Sequence, residues 1–324
     1  RKLAPNNAVG LYIYTSWNLN PAEGTGVAVA MRHLTEALRA AGEQFTFITE
    51  NYRFGNFALF LLKRVFSNIK IYIRFRFSGE KATLMGVDFD GFLLPRRIHY
   101  VLNLRSNFRR IKKQEKGWLY LIASLEAFLQ ALACKRASII IAATQETRLA
   151  IAMDYTVSPE KIVVVPNGLD SFWKDLPERD ILPANRILSV ASLYPRKGII
   201  YLLEALVILK NRGIPFSYVH VGGGLLFAQL LEQVKALGLS SQVEFVGAVA
   251  DRSKLARRYQ EARIFCHPCL HEDFGNVLLE AMSAGCPIVA FDNSGARELI
   301  RPGWGMLVPD RDVERLARAL ETLL

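Results

Sequence analysis

Short apolar runs alternate with segments of helical period along nearly the whole chain. Residues 9–14 read as a strand, 26–41 as a helix stopped by Gly42, and 44–49 as a second strand. The stretch 53–81 reads as a basic apolar helix followed by a strand-like run, Ile69-Lys70-Ile71-Tyr72-Ile73. Residues 82–94 and 98–104 read as strands, 118–135 as a buried helix, and 138–143 and 162–165 as two more strands. The second half is more regular. Strands at 186–191, 216–221, 243–246, 263–266, 287–291 and 306–308 alternate with helices near 197–211, 224–237, 252–260, 275–284, 295–300 and 311–323. Continuous apolar strands separated by helices predict parallel sheets covered on both faces. The polar stretch 166–185, with Pro166, Pro177 and Pro183, reads as the joint between two Rossmann-like α/β domains. Their site is expected in a cleft, at the carboxyl ends of the strands.

Composition narrows the class without naming it. The chain has 324 residues, 51% hydrophobic and 22% charged, a mix that excludes a disordered chain. Gly 22 and Pro 13 exclude collagen-like and low-complexity readings. Cys134, Cys266, Cys269 and Cys286 are too few for a disulfide framework, so a reducing, cytoplasmic compartment is expected. The chain begins at Arg1 with no visible secretory signal, and the expectation is an N-terminally trimmed sequence. The longest apolar stretch, 118–134, carries Glu126 and Gln130 and ends at Lys135-Arg136, so no membrane span is expected.

Charge is unevenly spread. The formal net charge is +11, and the window 53–116 alone holds 15 basic and 4 acidic residues, which is the same +11. Residues 181–324 carry 16 basic and 14 acidic residues, a balance of +2. The window also contains Phe54, Phe57, Phe60, Phe66, Phe75 and Phe77. Basic residues interleaved with aromatics suit nucleic acid or an anionic membrane surface, or form a solvated basic face. Nothing besides charge speaks for nucleic acid, so none is expected as a partner.

The most informative segment is His271-Glu272-Asp273-Phe274-Gly275-Asn276-Val277-Leu278-Leu279-Glu280-Ala281-Met282. A strand ends near Cys266, a loop follows, and a helix starts at about Asn276. The free main-chain N–H groups and positive dipole of a first helical turn suit a diphosphate. Glu280 lies about 7 Å along the helix from Gly275 at 1.5 Å per residue, the step from a nucleotide's phosphate to its ribose. Glu272, on the loop, is positioned to accept from sugar hydroxyls, and Gly275 permits close approach of main chain to ligand.

The stretch EDFGNVLLEAMSAGCPIVAFDNSGARELI resembles the donor-site signature of family-4 glycosyltransferases, retaining enzymes of the GT-B fold. Flanking segments agree. Val164-Val165-Pro166-Asn167-Gly168-Leu169-Asp170 is similar to the interdomain linker, and Ser189-Val190-Ala191-Ser192-Leu193-Tyr194-Pro195-Arg196-Lys197-Gly198 to the strand–loop element. His220-Val221-Gly222-Gly223-Gly224 and Glu244-Phe245-Val246-Gly247 are similar to the strand ends that hold the nucleotide. The resemblance covers 141–320 closely and 9–50 loosely.

It implies an α/β GT-B protein, with residues 1–168 as a basic acceptor domain, membrane-facing at 53–116, and 169–324 as the nucleotide-sugar donor domain. Arg196 and Lys197 would bind the diphosphate and Glu272 the donor sugar, these three carrying catalysis. Glu280 would hold the ribose, and Gly24, Gly26, Gly222, Gly223, Val246, Phe274, Gly275, Asn276 and Val277 would line the donor site. Two cations offset the charge that develops on a leaving nucleotide. The implied reaction is front-face attack on a UDP- or GDP-sugar by a hydroxyl of a glycan or glycolipid, without metal or cofactor. The chain is then expected in the cytoplasm, peripheral at the inner face of the membrane.

Three departures are recorded. Many family members carry a His at an N-terminal strand end; here the comparable strand reads His99-Tyr100-Val101-Leu102-Asn103-Leu104-Arg105, with Asn103 or Arg105 as stand-ins. The family's final crossover helix has no counterpart before Leu324, so its absence is expected. Cys266-His267-Pro268-Cys269-Leu270-His271 has metal-like spacing, but one short strand-to-loop run seldom folds four donors onto one ion, so no metal is expected. Competing functions are a nucleotide-sugar epimerase and a catalytically silent nucleotide-sugar-binding protein of the same fold.

Overall fold

The computed structural model describes residues 10–17, 26–50, 57–179 and 185–324. Of these, 10–17 and 27–166 form one compact unit, and 167–324 form the second.

The first unit runs β1 (Gly10–Thr15), α1 (Gly26–Ala40), β2 (Thr46–Thr49), α2 (Phe57–Phe77), β3 (Ala82–Val87), β4 (His99–Asn103), α3 (Phe108–Ile111), α4 (Gly117–Arg136), β5 (Ile139–Ala142), α5 (Gln145–Tyr155) and β6 (Ile162–Val164). Its six parallel strands are ordered β2-β1-β3-β4-β5-β6. Strand order reverses between β1 and β3. Ile140, Leu84, Leu102 and Tyr100 are fully buried in the core against Ile71 and Phe75 of α2 and Ala127 and Ala133 of α4.

Two expectations fail in this unit. The strand expected at 69–73 lies in the second half of α2, one helix from Phe57 to Phe77. Phe60, Leu61, Arg64, Ser67, Asn68, Ile71 and Phe75 are all buried, a spacing of three and four that only a helix brings to one face. Packing on the sheet outweighs the strand preference of the isoleucines. The strand expected over 82–94 stops at Val87, because Asp88 turns into the left-handed region at φ 59°. There its carboxylate accepts the amides of Arg105 and Ser106, each at 3.0 Å, and the Trp17 indole N–H at 2.9 Å.

The expected buried helix at 118–135 is α4, but only half buried. It is long and apolar enough to cross a membrane by length and composition. One face, with Ile122, Ala123, Ala127 and Leu129, packs in the core; the other exposes Trp118, Leu121, Leu125, Phe128 and Leu132. Connections that run the same way across a parallel sheet put their helices on the same face, by the right-handed crossover rule. The steps β2→β3, β4→β5 and β5→β6 all do so, so α2, α4 and α5 form one layer. Within it Arg64 of α2 is wholly buried, donating to Glu126 of α4 at 3.2 Å and to Ser16 at 2.9 Å.

The second unit runs α6 (Ser171–Lys174), β7 (Arg186–Val190), α7 (Ile199–Asn211), β8 (Ser217–Val221), α8 (Phe227–Ala236), β9 (Val243–Phe245), α9 (Arg252–Glu261), β10 (Ile264–His267), α10 (Asn276–Ser283), β11 (Ile288–Phe291), α11 (Ser294–Leu299), β12 (Gly305–Val308) and α12 (Val313–Leu323). Its parallel sheet is ordered β12-β11-β10-β7-β8-β9. The chain moves outward from β7 to β9, then returns to β10 on the other side. The switch point therefore lies between β7 and β10, paired through Ile264–Ile187 and Phe265–Leu188. Ligands of doubly wound sheets bind outside the carboxyl ends of the strands at such a point. Two Rossmann-like parallel sheets of six strands make the fold GT-B.

Candidate functional site

Two loops meet at the switch point of the second unit. One follows β7 and ends in a tight turn, Pro195–Lys197, closed by Gly198. The other follows β10 and runs to Gly275 at the start of α10. Gly198 has φ +66°, and a Cβ there would stand 1.9 Å from the Pro268 carbonyl oxygen. Only glycine lets the loops approach this closely. The Leu270 amide donates to the Arg196 carbonyl at 2.8 Å, tying them further. Asn293 donates to the Cys269 carbonyl at 2.7 Å, and the Gly295 amide to the Glu272 carbonyl at 2.9 Å. The loop bearing Glu272 is therefore pinned from both sides.

The result is a charge pair. Lys197 Nζ lies 2.6 Å from Glu272 Oε2. His267 Nε2 stands 3.6 Å and Cys269 Sγ 3.8 Å from the same oxygen. Burial alone would raise the Glu272 carboxyl, but the Lys197 ammonium and His267 outweigh it and hold it well below the usual carboxylate range. Burial works against the Lys197 ammonium too, and Cys269 and Glu272 overcome it, so Lys197 is raised. Glu272 keeps 21% and Lys197 14% of side-chain exposure, so the pair opens to solvent on one side.

The structure thus brings Lys197 and Glu272 together from 75 residues apart. The Arg196 guanidinium lies over the Tyr194 ring at 5.5 Å. Gly275, with φ 88°, caps α10, and its carbonyl accepts the Leu278 amide at 2.9 Å. Asn276, the first residue of α10, accepts from Asn167 at 2.6 Å, and Val277 next to it is partly exposed. Phe274 is buried, with its carbonyl against Gly295. Glu280 is also buried and accepts the Tyr259 hydroxyl at 3.0 Å, a partner on α9 that the motif does not reveal. The Gly222 amide already donates to the Gly247 carbonyl at 2.8 Å, and the Gly223 carbonyl accepts from Leu193 at 2.9 Å. The Val246 amide is taken by the His220 carbonyl at 3.0 Å. Gly24 lies outside the described residues; Gly26 opens α1. In the first unit Asn103 ends β4 and is buried, the Arg105 amide is held by Asp88, and His99 is exposed at the start of β4.

Comparisons with known proteins agree with this class of molecule. Residues 174–324 match the family described as glycosyl transferases group 1. The chain is 37% identical over 171 residues to the amylovoran biosynthesis glycosyltransferase AmsK of Erwinia amylovora, covering 50% of this chain and 41% of that one. It is 38% identical over 168 residues to the phosphatidyl-myo-inositol mannosyltransferase of Mycolicibacterium smegmatis, covering 50% and 42%. The chain thus spans less than half the length of these relatives. Sucrose-phosphate synthase from Thermosynechococcus elongatus has the same fold with a TM-score of 0.78 at 19% identity, over 97% of this chain and 89% of that one. WaaG, a glycosyltransferase involved in lipopolysaccharide biosynthesis, has a TM-score of 0.71 at 20% identity, over 98% and 90%. Residues 174–324 thus match the glycosyl transferases group 1 family within a chain of GT-B fold, and the relatives named here are glycosyltransferases.

Proposed function

We propose that the protein is a retaining glycosyltransferase of family 4 that moves a hexose from a UDP- or GDP-sugar to a hydroxyl of a glycan or glycolipid. The observation that carries this reading is the 2.6 Å contact of Lys197 with an ionised Glu272 at the β7–β10 switch point, beside the N-terminus of α10. Lys197 and Arg196 offset the charge of the leaving diphosphate, and the first amides of α10 add donors. Glu272 accepts from donor-sugar hydroxyls and Glu280 from the ribose. Catalysis is positioning and electrostatics: the acceptor hydroxyl attacks the face the diphosphate leaves, and its proton passes to the departing phosphate oxygen. The cationic side chains perform the electrostatic task, and no metal cofactor enters the scheme.

The acceptor class is read from the first unit. The outer faces of α2 and α4 expose Leu62, Phe66, Ile69, Ile73 and Phe77, and Trp118, Leu121, Leu125 and Phe128. Each stripe repeats at three and four residues, and Lys70, Arg74, Arg76, Lys113, Lys116 and Lys135 stand exposed around them. Apolar stripes rimmed by cations suit an anionic lipid surface. A relative whose name specifies phosphatidyl-myo-inositol supports a lipid-borne acceptor.

Product analysis tests the reaction. Incubation with UDP- and GDP-hexoses and lipid-linked glycans should yield a glycosylated lipid whose new bond keeps the donor's anomeric configuration by NMR. An inverted product would overturn retention, and release of free sugar and nucleotide alone would favour an epimerase or hydrolase.

A further inference from the structure

We propose that His267 Nε2, Cys269 Sγ and Glu272 form an inhibitory site for a soft divalent cation, zinc, whose binding displaces Lys197 from Glu272. The three donor atoms lie within 4.8 Å of one another, with His267 and Cys269 each 3.6–3.8 Å from the Glu272 oxygen. A tetrahedral zinc ion, with bonds of about 2.0 Å to nitrogen and oxygen and about 2.3 Å to sulfur, sets its ligands roughly 3.3–3.8 Å apart. The donors thus stand near the edges of such a tetrahedron before any ion arrives.

The second observation is His267 itself. The residue is 2% exposed, and its Nε2 faces the Glu272 carboxylate at 3.6 Å, too long for a hydrogen bond. A buried ring nitrogen in that state is costly in a purely structural loop and is what a metal ligand looks like without its metal. One nitrogen, one sulfur and one carboxylate suit zinc better than magnesium or calcium.

The site differs from the one the cysteine–histidine spacing suggests. Cys266 alternates to the other face of β10, within the core between Ile264 and Val289, and His271 pairs with Asp273 at 3.3 Å. Glu272 takes their place. Since Glu272 and Lys197 are the exposed side of the cluster, an ion enters there, and its fourth position faces solvent. The ammonium now beside Glu272 is a built-in competitor. Zinc binding therefore takes up Glu272, expels Lys197 and, where Cys269 is protonated, releases that proton.

The test uses the full chain and the metal alone. Zinc is titrated against a chromophoric chelator, and cobalt(II) is added separately to read the thiolate-to-cobalt absorption band. One equivalent of metal and a thiolate band are expected. Cys269→Ala should abolish the band, and His267→Gln should weaken zinc at least about tenfold. Cys134→Ala and Cys286→Ala should leave metal affinity unchanged. Melting curves without metal identify any variant that fails to fold, and in that case the band of the unaltered chain decides. No metal uptake, uptake without a thiolate band, or equal affinity in folded His267→Gln overturns the site. Inhibition rests on the function proposed above, whereas the binding and spectral readings do not; metal bound with sugar transfer undiminished overturns the inhibitory role alone.

Discussion

Glu272 stays ionised where burial alone would protonate it, and Lys197 is the reason. Removing one partner of such a pair leaves the other charge uncompensated. Glu272→Gln should lower transfer by roughly 10²–10³-fold, the usual cost of one electrostatic stabiliser, measured as kcat with the preferred donor; a loss under threefold would contradict the role. His220 is a different buried group. Its Nε2 lies 3.0 Å from the Ala191 carbonyl, which only accepts, so Nε2 carries the proton and Nδ1 receives the Ser189 hydroxyl at 2.7 Å. Burial lowers it from 6.5 to about 4, despite the help of the Ala191 carbonyl. A depressed histidine contributes stability that is full above pH 6.5 and is lost as pH falls toward 4. The difference is worth about 3 kcal/mol. His220→Asn should flatten the melting-temperature profile between pH 4 and 6.5; an unchanged slope would refute this. His267 and His271, raised by their neighbours against burial, work oppositely, losing their contribution as pH rises above 6.5.

Among the elements, the two loops at the switch point are held by Gly198. Gly198→Ala forces a Cβ onto the Pro268 carbonyl at a positive φ. It should destabilise the second unit by about 1–3 kcal/mol and weaken donor binding along with it, measured by denaturant unfolding and calorimetry; wild-type stability would contradict the close approach. The helices and strands of this unit were legible because continuous apolar strands and amphipathic helices alternate there without ambiguity. The motif around Glu272 and Glu280 was legible because its carriers are consecutive. The partners were not. Tyr259 reaches Glu280 from another helix, and Lys197 and Glu272, 75 residues apart, were joined in one site only by the family resemblance, not by any foreseen contact. Sequence spacing contains no such distances. In the first unit, the isoleucines of α2 and the turn at Asp88 misled for one cause: tertiary packing and a long-range capping carboxylate overrode local preference.

At the scale of the molecule, the +11 charge sits in the window 53–116, while the second unit is nearly neutral. The apolar faces of α2 and α4 give that charge a context that composition alone lacked, and they extend it to α4, beyond the window. The chain should float with anionic vesicles and release as salt rises, and Phe66→Glu with Phe128→Glu should abolish flotation; absence of binding at any ionic strength would remove the membrane from the account. The proposed donor recognition rests on Lys197, Glu272 and Glu280 of the other unit and is tested separately. Its most direct measurement is the melting temperature of the full chain with UDP-, GDP- and ADP-sugars, for the unaltered protein and Glu280→Ala. A donor at 100 times its Kd should add about 2.7 kcal/mol of stability, with the gain reduced in the variant. No shift with any nucleotide sugar would contradict the donor site.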